Sequence, residues 1–207
     1  MALRGGSGNF GIVTRFEFHL HEMPNHMYAG QVIYPYEAPG EGFRAYREVM
    51  ATAPDGFTCY PCMFTIPPLS DLPEKYHGNS VFCLVYGHVG ELAEGERTER
   101  PLRELGQPIL DTSGTHTFLE VHRAFDAGTP PACRWYSKGH YLSGLPDEAI
   151  ETILRFTREI PGALTLAYID CAGGAIRKVP PEAAAFPHRG VNFGFHLMAG
   201  GPRPGGR

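Results

Sequence analysis

Between Ser80 and Val89 both alternating sets of side chains are apolar: Val81, Cys83 and Val85 on one side, Phe82, Leu84 and Tyr86 on the other. Successive side chains of a strand point to opposite faces, so a strand apolar on both faces must be covered on both. It belongs inside a sheet, and the sequence around it supplies neighbours. His26–Tyr36 reads as a strand with Tyr28, Val32 and Tyr34 among its bulky residues. Gly40–Ala53 reads as a helix, with Phe43, Tyr46, Val49, Met50 and Ala53 on one stripe. Phe57–Ile66 is a strand, and its Pro61 marks it as an edge or bulged one. After the Pro67–Asn79 loop and the central strand, Glu91–Leu105 is a charged helix with Glu96/Arg100 and Glu99/Arg103 at i,i+4. Gln107–Thr112 returns as a strand. The order β-α-β-β-α-β is a ferredoxin-like unit.

A second unit begins at Cys133–Leu142, a strand, and continues with a helix over Pro146–Ile160 that carries Ile150, Ile153, Leu154 and Thr157 on its face. Pro146-Asp147-Glu148 suits a first helical turn. Ala163–Asp170 and Val191–Met198 are strands, with an irregular or strand segment at Gly173–Val179 between them. The closing helix and strand of this unit are missing from the pattern, so it reads as incomplete. The fold class is α+β: one antiparallel sheet with helices on one face. Val191–Met198 then carries apolar surface that nothing covers, and an edge of that kind invites self-association.

At the other end, Gly5-Gly6-Ser7-Gly8-Asn9-Phe10-Gly11-Ile12-Val13-Thr14 feeds a segment alternating Phe16, Phe18 and Leu20 with polar residues, a strand pattern. Glycine lacks Cβ and tolerates positive φ, so such a loop lets backbone N–H groups close around a phosphate. It is not a P-loop, which needs Gly-Lys-Ser/Thr and a helix behind it. Nor is it a dinucleotide fingerprint, which follows a strand and opens a helix. On chemistry alone, a plain turn remains the alternative.

The string Ala2-Leu3-Arg4-Gly5-Gly6-Ser7-Gly8-Asn9-Phe10-Gly11-Ile12-Val13-Thr14 resembles the segment that closes the FAD-binding domain in FAD-linked oxidases of the berberine bridge enzyme-like group, within the vanillyl-alcohol oxidase/p-cresol methylhydroxylase superfamily. Ser7 stands where the family pattern has glycine. Gly173-Gly174-Ala175-Ile176 followed by Ala185-Phe186-Pro187-His188-Arg189 resembles the Gly-Gly…Phe-Pro-His-Arg segment of the family's substrate domain. The resemblance implies FAD as cofactor, with Gly5, Gly6, Ser7, Gly8, Asn9, Phe10, Gly11, Ile12 and Val13 on the cofactor side. It implies hydride transfer from a small organic substrate to flavin, then to dioxygen. It divides the chain into residues 1–22, the last loop and strand of the FAD domain, residues 23–198, a truncated substrate domain, and residues 199–207, a disordered Gly/Pro tail. The family's remaining FAD domain, about two hundred residues with an Arg-Ser-Gly-Gly-His-type loop, has no counterpart here. The chain is therefore expected to be part of such an enzyme, inactive alone; a small binding protein that kept only the substrate-domain fold is the alternative.

Within that resemblance, His196 falls where relatives carry a polar group facing the substrate, on the side of its strand with Asn192 and Gly194. A histidine there suits a general base, because an imidazole ordinarily titrates near neutral pH. Tyr168, with Asp170 two residues on, reads first as a core aromatic and second as a catalytic candidate behind His196. Trp135 reads as packing. His188-Arg189 reads as a tie between a turn and neighbouring backbone.

Composition excludes more than it assigns. The net charge of −4 offers no basic field for nucleic acid or an anionic membrane. No run of 18 apolar residues spans a bilayer, and no apolar h-region follows Met1; the compartment stays unknown, with the cytoplasm favoured for the chain as given. Five cysteines, an odd number, do not suggest a disulfide framework. Cys59 and Cys62, three apart on a strand, point to opposite faces and read as structural. His19 and His21 read as the polar face of a strand, so no metal is expected.

Overall fold

The structure, a computed structural model, describes residues 3–37, 39–68, 72–126 and 133–202. The first unit contains strand β1 (His26–Pro35), helix α1 (Pro39–Thr52), strands β2 (Phe57–Thr65) and β3 (Ser80–His88), helix α2 (Leu92–Arg103) and strand β4 (Leu110–Asp111). Strand β5 (Gly114–Thr117) and helix α3 (Phe118–Arg123) follow. The second unit contains β6 (Cys133–Leu142), α4 (Asp147–Thr157), β7 (Thr165–Cys171), the short helix α5 (Ala175–Lys178) and β8 (Phe193–Pro202). All of these strands join one eight-stranded antiparallel sheet, ordered β4-β1-β3-β2-β7-β8-β6, with β5 paired to β1. The order β4-β1-β3-β2 is that of the ferredoxin-like unit, and β7-β8-β6 repeats its last three places in reverse. The mixed α+β class read from the sequence is the class observed.

Alternation divides the sheet into two faces. On the first, Val32, Tyr34, Cys59, Met63, Phe82, Leu84, Ala167, Ile169 and Phe193 join Phe43 and Tyr46 of α1, Leu102 of α2 and Ile150 and Ile153 of α4 in the main core. On the second, Ile33, Val81, Cys83 and Ile66 are buried with Cys62, Phe64 and Val85 against them. Cys59 and Cys62 thus lie on opposite faces, and all five cysteines are free. Burial pushes the Cys62 thiol up to about 12. At the seam between the units, Arg47 and Arg44 on α1 reach Asp147 at the start of α4 at 2.7 and 3.3 Å.

Several local expectations need correction. Strand β2 is not an edge strand: it lies between β3 and β7. Pro61 is accommodated because the β7 ladder covers only Cys62, Met63 and Phe64, stopping where the proline lacks its N–H. Strand β8 continues through Ala199-Gly200-Gly201-Pro202, paired with Tyr136, Trp135, Arg134 and Cys133. The Gly/Pro composition is tolerated there because Trp135 packs over Gly200, where a Cβ would sit 2.7 Å from the indole. Residues 203–207 of the expected tail lie outside the described residues. Residues 11–24 form no strand, and Phe16, Phe18 and Leu20 are 66%, 74% and 89% exposed. An alternating segment needs a second layer to bury its apolar side, and none lies against it among the described residues. Strand β5 and helix α3, which carries a Thr117/Glu120 capping box, had no counterpart in the sequence reading.

The expected i,i+4 pairs on α2 are also absent among the described residues. Such exposed pairs are worth only a few tenths of a kcal/mol, and stronger partners take over. Arg103 pairs with Asp111 on β4 at 2.6 Å. Glu99 is 1% exposed and accepts a hydrogen bond from the Tyr28 hydroxyl at 3.2 Å. Burial pushes the Glu99 carboxyl up to about 7. A carboxyl raised in the folded state stabilises the fold below its unfolded value and loses that contribution as pH rises through about 7. Glu99→Gln is therefore expected to flatten the fall in urea-denaturation stability between about pH 5.5 and about pH 8.5, by on the order of 1–3 kcal/mol. Parallel pH profiles of the two proteins would contradict this.

Candidate functional site

Cross-strand register gathers the polar residues of the second unit. Cys83, Cys62, Tyr168, His196 and Gly139 are successive partners across β3, β2, β7, β8 and β6. Directly opposed residues share a face, so this row lies on the face turned away from α1, α2 and α4. Asp170, Gly194 and Tyr141 form part of the next row. His196 therefore shares the side of Gly194, as the register read from the sequence requires, and not that of Phe193 and Phe195.

The Nε2 atom of His196 lies 3.0 Å from Asp170 Oδ1, with the side chains 32% and 39% exposed. Tyr168 stacks on the imidazole, ring centroids 4.7 Å apart and planes 13° from parallel. Tyr168 is thus a surface neighbour of the histidine rather than a core aromatic. Burial, then the Asp170 carboxylate, raises its phenol above the ordinary value. Two glycines make the arrangement possible. A Cβ on Gly194 would collide with Asp170 Oδ1, and one on Gly139 would stand 3.0 Å from His196 Nδ1. The sequence reading missed Asp170 as the partner of His196; the signal was the shared parity of Tyr168 and Asp170 on one strand and Gly194 and His196 on another.

Beside this pair the two motifs, about 180 residues apart by their numbering, meet. Ala185 N–H donates to Arg4 C=O at 2.7 Å. Gly5, at φ +92°, is packed so closely that a Cβ would lie 2.6 Å from Phe186 N. Phe186 and His188 close around Tyr141 of β6: His188 stacks on it at 4.2 Å and Phe186 meets it edge-on at 6.3 Å. Arg189 lies over Phe186 and donates to the Ile176 carbonyl at 3.2 Å, the tie expected of it. The rest of the loop faces solvent: Ser7–Phe10 is a single 3-10 turn, exposed throughout, and Ile12 is 93% exposed. Positive φ falls at Gly5, Ser7 and Gly11, so Ser7 occupies a left-handed position that favours glycine. Gly8 has ordinary φ and open space about its Cα; the need for glycine lies at Gly5, by φ and by packing, and at Gly11, by its φ of +129°. A cleft of 840 Å³, lined by Tyr36, Thr65, Tyr76 and Arg158, does not include the histidine pair.

Gly5→Ala is expected to undo the docking of this loop. Losing one hydrogen bond worth about 1 kcal/mol should speed hydrogen exchange at the Ala185 amide roughly fivefold, while Gly8→Ala leaves it unchanged. Equal protection in both variants would show that Gly5 is not the contact.

No family model matches the chain. An FAD-linked oxidoreductase of Dictyostelium discoideum is 23% identical over 196 residues, covering 93% of this chain and 40% of that protein. (R)-6-hydroxynicotine oxidase of Paenarthrobacter nicotinovorans is 30% identical over 125 residues, covering 58% of this chain and 25% of that protein. The structure of a berberine bridge enzyme variant in complex with (S)-reticuline superposes with a TM-score of 0.76 at 17% identity, covering 98% of this chain and 41% of that one. The chain thus spans less than half the length of the proteins it matches.

Proposed function

We propose, from the premise that this chain belongs to the FAD-linked oxidoreductases of the berberine bridge enzyme-like group, that it forms the substrate-side wall of an oxidase active site. The supporting observation is the docking of the glycine loop on Phe186-Pro187-His188 beside the His196–Asp170 pair. Gly5, Gly6, Ser7, Gly8, Asn9, Phe10, Gly11, Ile12 and Val13 fit the cofactor side. All of them but the half-buried Gly6 are exposed, and no atom would meet a Cβ at Gly8 or Gly11 within 4 Å, which leaves room for a bulky anion. FAD, when bound, supplies the two-electron acceptor that dioxygen regenerates. The chain's own residues hold and deprotonate the substrate: His196 takes the proton from a small alcohol or amine, and Tyr168 stacks against its ring to limit its motion.

In a full-length protein containing this chain, His196→Ala is expected to slow anaerobic flavin reduction by an alcohol or amine substrate about 10²–10⁴-fold while leaving flavin content unchanged. A drop below roughly threefold would remove the base role. A second reading, a chain inactive by itself, is favoured by its span of 40% of the Dictyostelium relative. The 207-residue chain alone is then expected to bind free FAD weakly or not at all, and saturation of flavin fluorescence at sub-micromolar protein would overturn that reading.

Self-association belongs to the same proposal. β6 ends the sheet path, bonded to β8 on one side. Tyr136, Leu197 and Phe156 beside it are 65%, 44% and 71% exposed. Sedimentation is expected to show concentration-dependent dimers or larger species, and a monomer at every concentration would sink the idea.

A further inference from the structure

We infer that Asp170 is the positioning residue of His196, fixing Nδ1 as the ring atom that accepts a proton. An ionised carboxylate only accepts hydrogen bonds, so at 3.0 Å the Nε2 atom must be the donor. In a neutral imidazole the hydrogen then resides on Nε2 and the lone pair on Nδ1. The opposite ring orientation would place Cε1, a poor donor, against the carboxylate.

The surroundings of the two nitrogens differ as this division of labour demands. On the Nε2 side, Gly194 gives way: a Cβ would collide with Asp170 Oδ1 and stand 2.8 Å from Nε2. On the Nδ1 side, Gly139 gives way: a Cβ would stand 3.0 Å from Nδ1 and 3.3 Å from Cε1. The first glycine lets the pair form; the second leaves beside Nδ1 the space that a side chain at position 139 would fill. Tyr168, stacked at 4.7 Å, resists rotation of the ring out of this plane. Asp170 is itself placed by register, as the direct partner of Gly194 across β7 and β8.

The catalytic meaning of this hold rests on the base role proposed for His196, but the hold is a property of the chain itself and is measured without flavin or substrate. Long-range ¹H–¹⁵N spectra of the labelled 207-residue chain at about pH 8.5, above the ordinary imidazole range, should find His196 with its hydrogen on Nε2. The Nε2–H proton should be shifted downfield and slow to exchange. Asp170→Ala should abolish that shift and protection. Gly194→Ala, which keeps the carboxylate but crowds the pair apart, should do the same. A wild-type ring carrying its hydrogen on Nδ1 would overturn the inference, as would a shift and protection that survive in both variants. Failure of the His196→Ala rate experiment with the tautomer intact would remove the base role and leave Asp170's hold standing, so the two claims fail separately.

Discussion

The rest of the structure depends on the short ladder between β2 and β7. Only Cys62↔Tyr168, Met63↔Ala167 and Phe64↔Leu166 cross it, yet it joins two ferredoxin-like halves into one continuous sheet. Without it, Ala167 and Ile169 would not enter the core that α1 and α4 share, and Tyr168 would not continue the row begun by Cys83 and Cys62. The two arginines of α1 on Asp147 reinforce the same seam, but exposed pairs of this kind contribute little because water and salt screen them. Burial of Met63, Ala167 and Ile169, at 0%, 1% and 0% exposure, carries the larger share.

Much of this was legible because periodicity is a local property. The β-α-β-β-α-β order, the central place of β3, the opposite faces of Cys59 and Cys62 and the side on which His196 lies all follow from alternation along single segments. What alternation could not supply was strand neighbourhood. Pro61 forbids one hydrogen bond, not an interior position, so β2 could be central wherever the adjacent ladder was short. Gly200 and Gly201 looked like the start of a tail, and a tryptophan on the opposite strand makes Gly200 a packing position. The segment 11–24 carries a sound strand pattern with no layer against it among the described residues. A pattern records what a segment can bury, and only the tertiary structure decides whether it does.

The site was legible in part for the same reason. His196 and Tyr168 could each be named from one strand, but their contact exists only through the β7–β8 register, and so does the place of Asp170. The glycine loop was recognisable as a string, whereas the demand for glycine at Gly5 comes from Phe186, far away in sequence. The substitution of Ser7 for glycine falls at φ +61°, a conformation that costs a non-glycine residue about a kcal/mol or more.

The two faces of the sheet hold their polar groups differently. On the helix side, α2 carries Glu99 under Tyr28 and Glu94 3.1 Å from the buried His88. Glu99, Tyr28 and His88 are enclosed, so changes in their charge act on the fold as a whole, whereas the Glu94 side chain is 45% exposed. On the open side, His196 and Asp170 are about one-third exposed, so their charges can change at small cost to the core while a ligand can still reach them. Because neighbouring residues of one strand face opposite ways, Ile169 holds the core while Tyr168 and Asp170 hold the histidine. A substitution that disturbs the register of β7 by a single residue would exchange those roles at once. That is why the short β2–β7 ladder, which sets Tyr168 in place against the His196 ring, governs the geometry of the candidate site as firmly as the residues that form it.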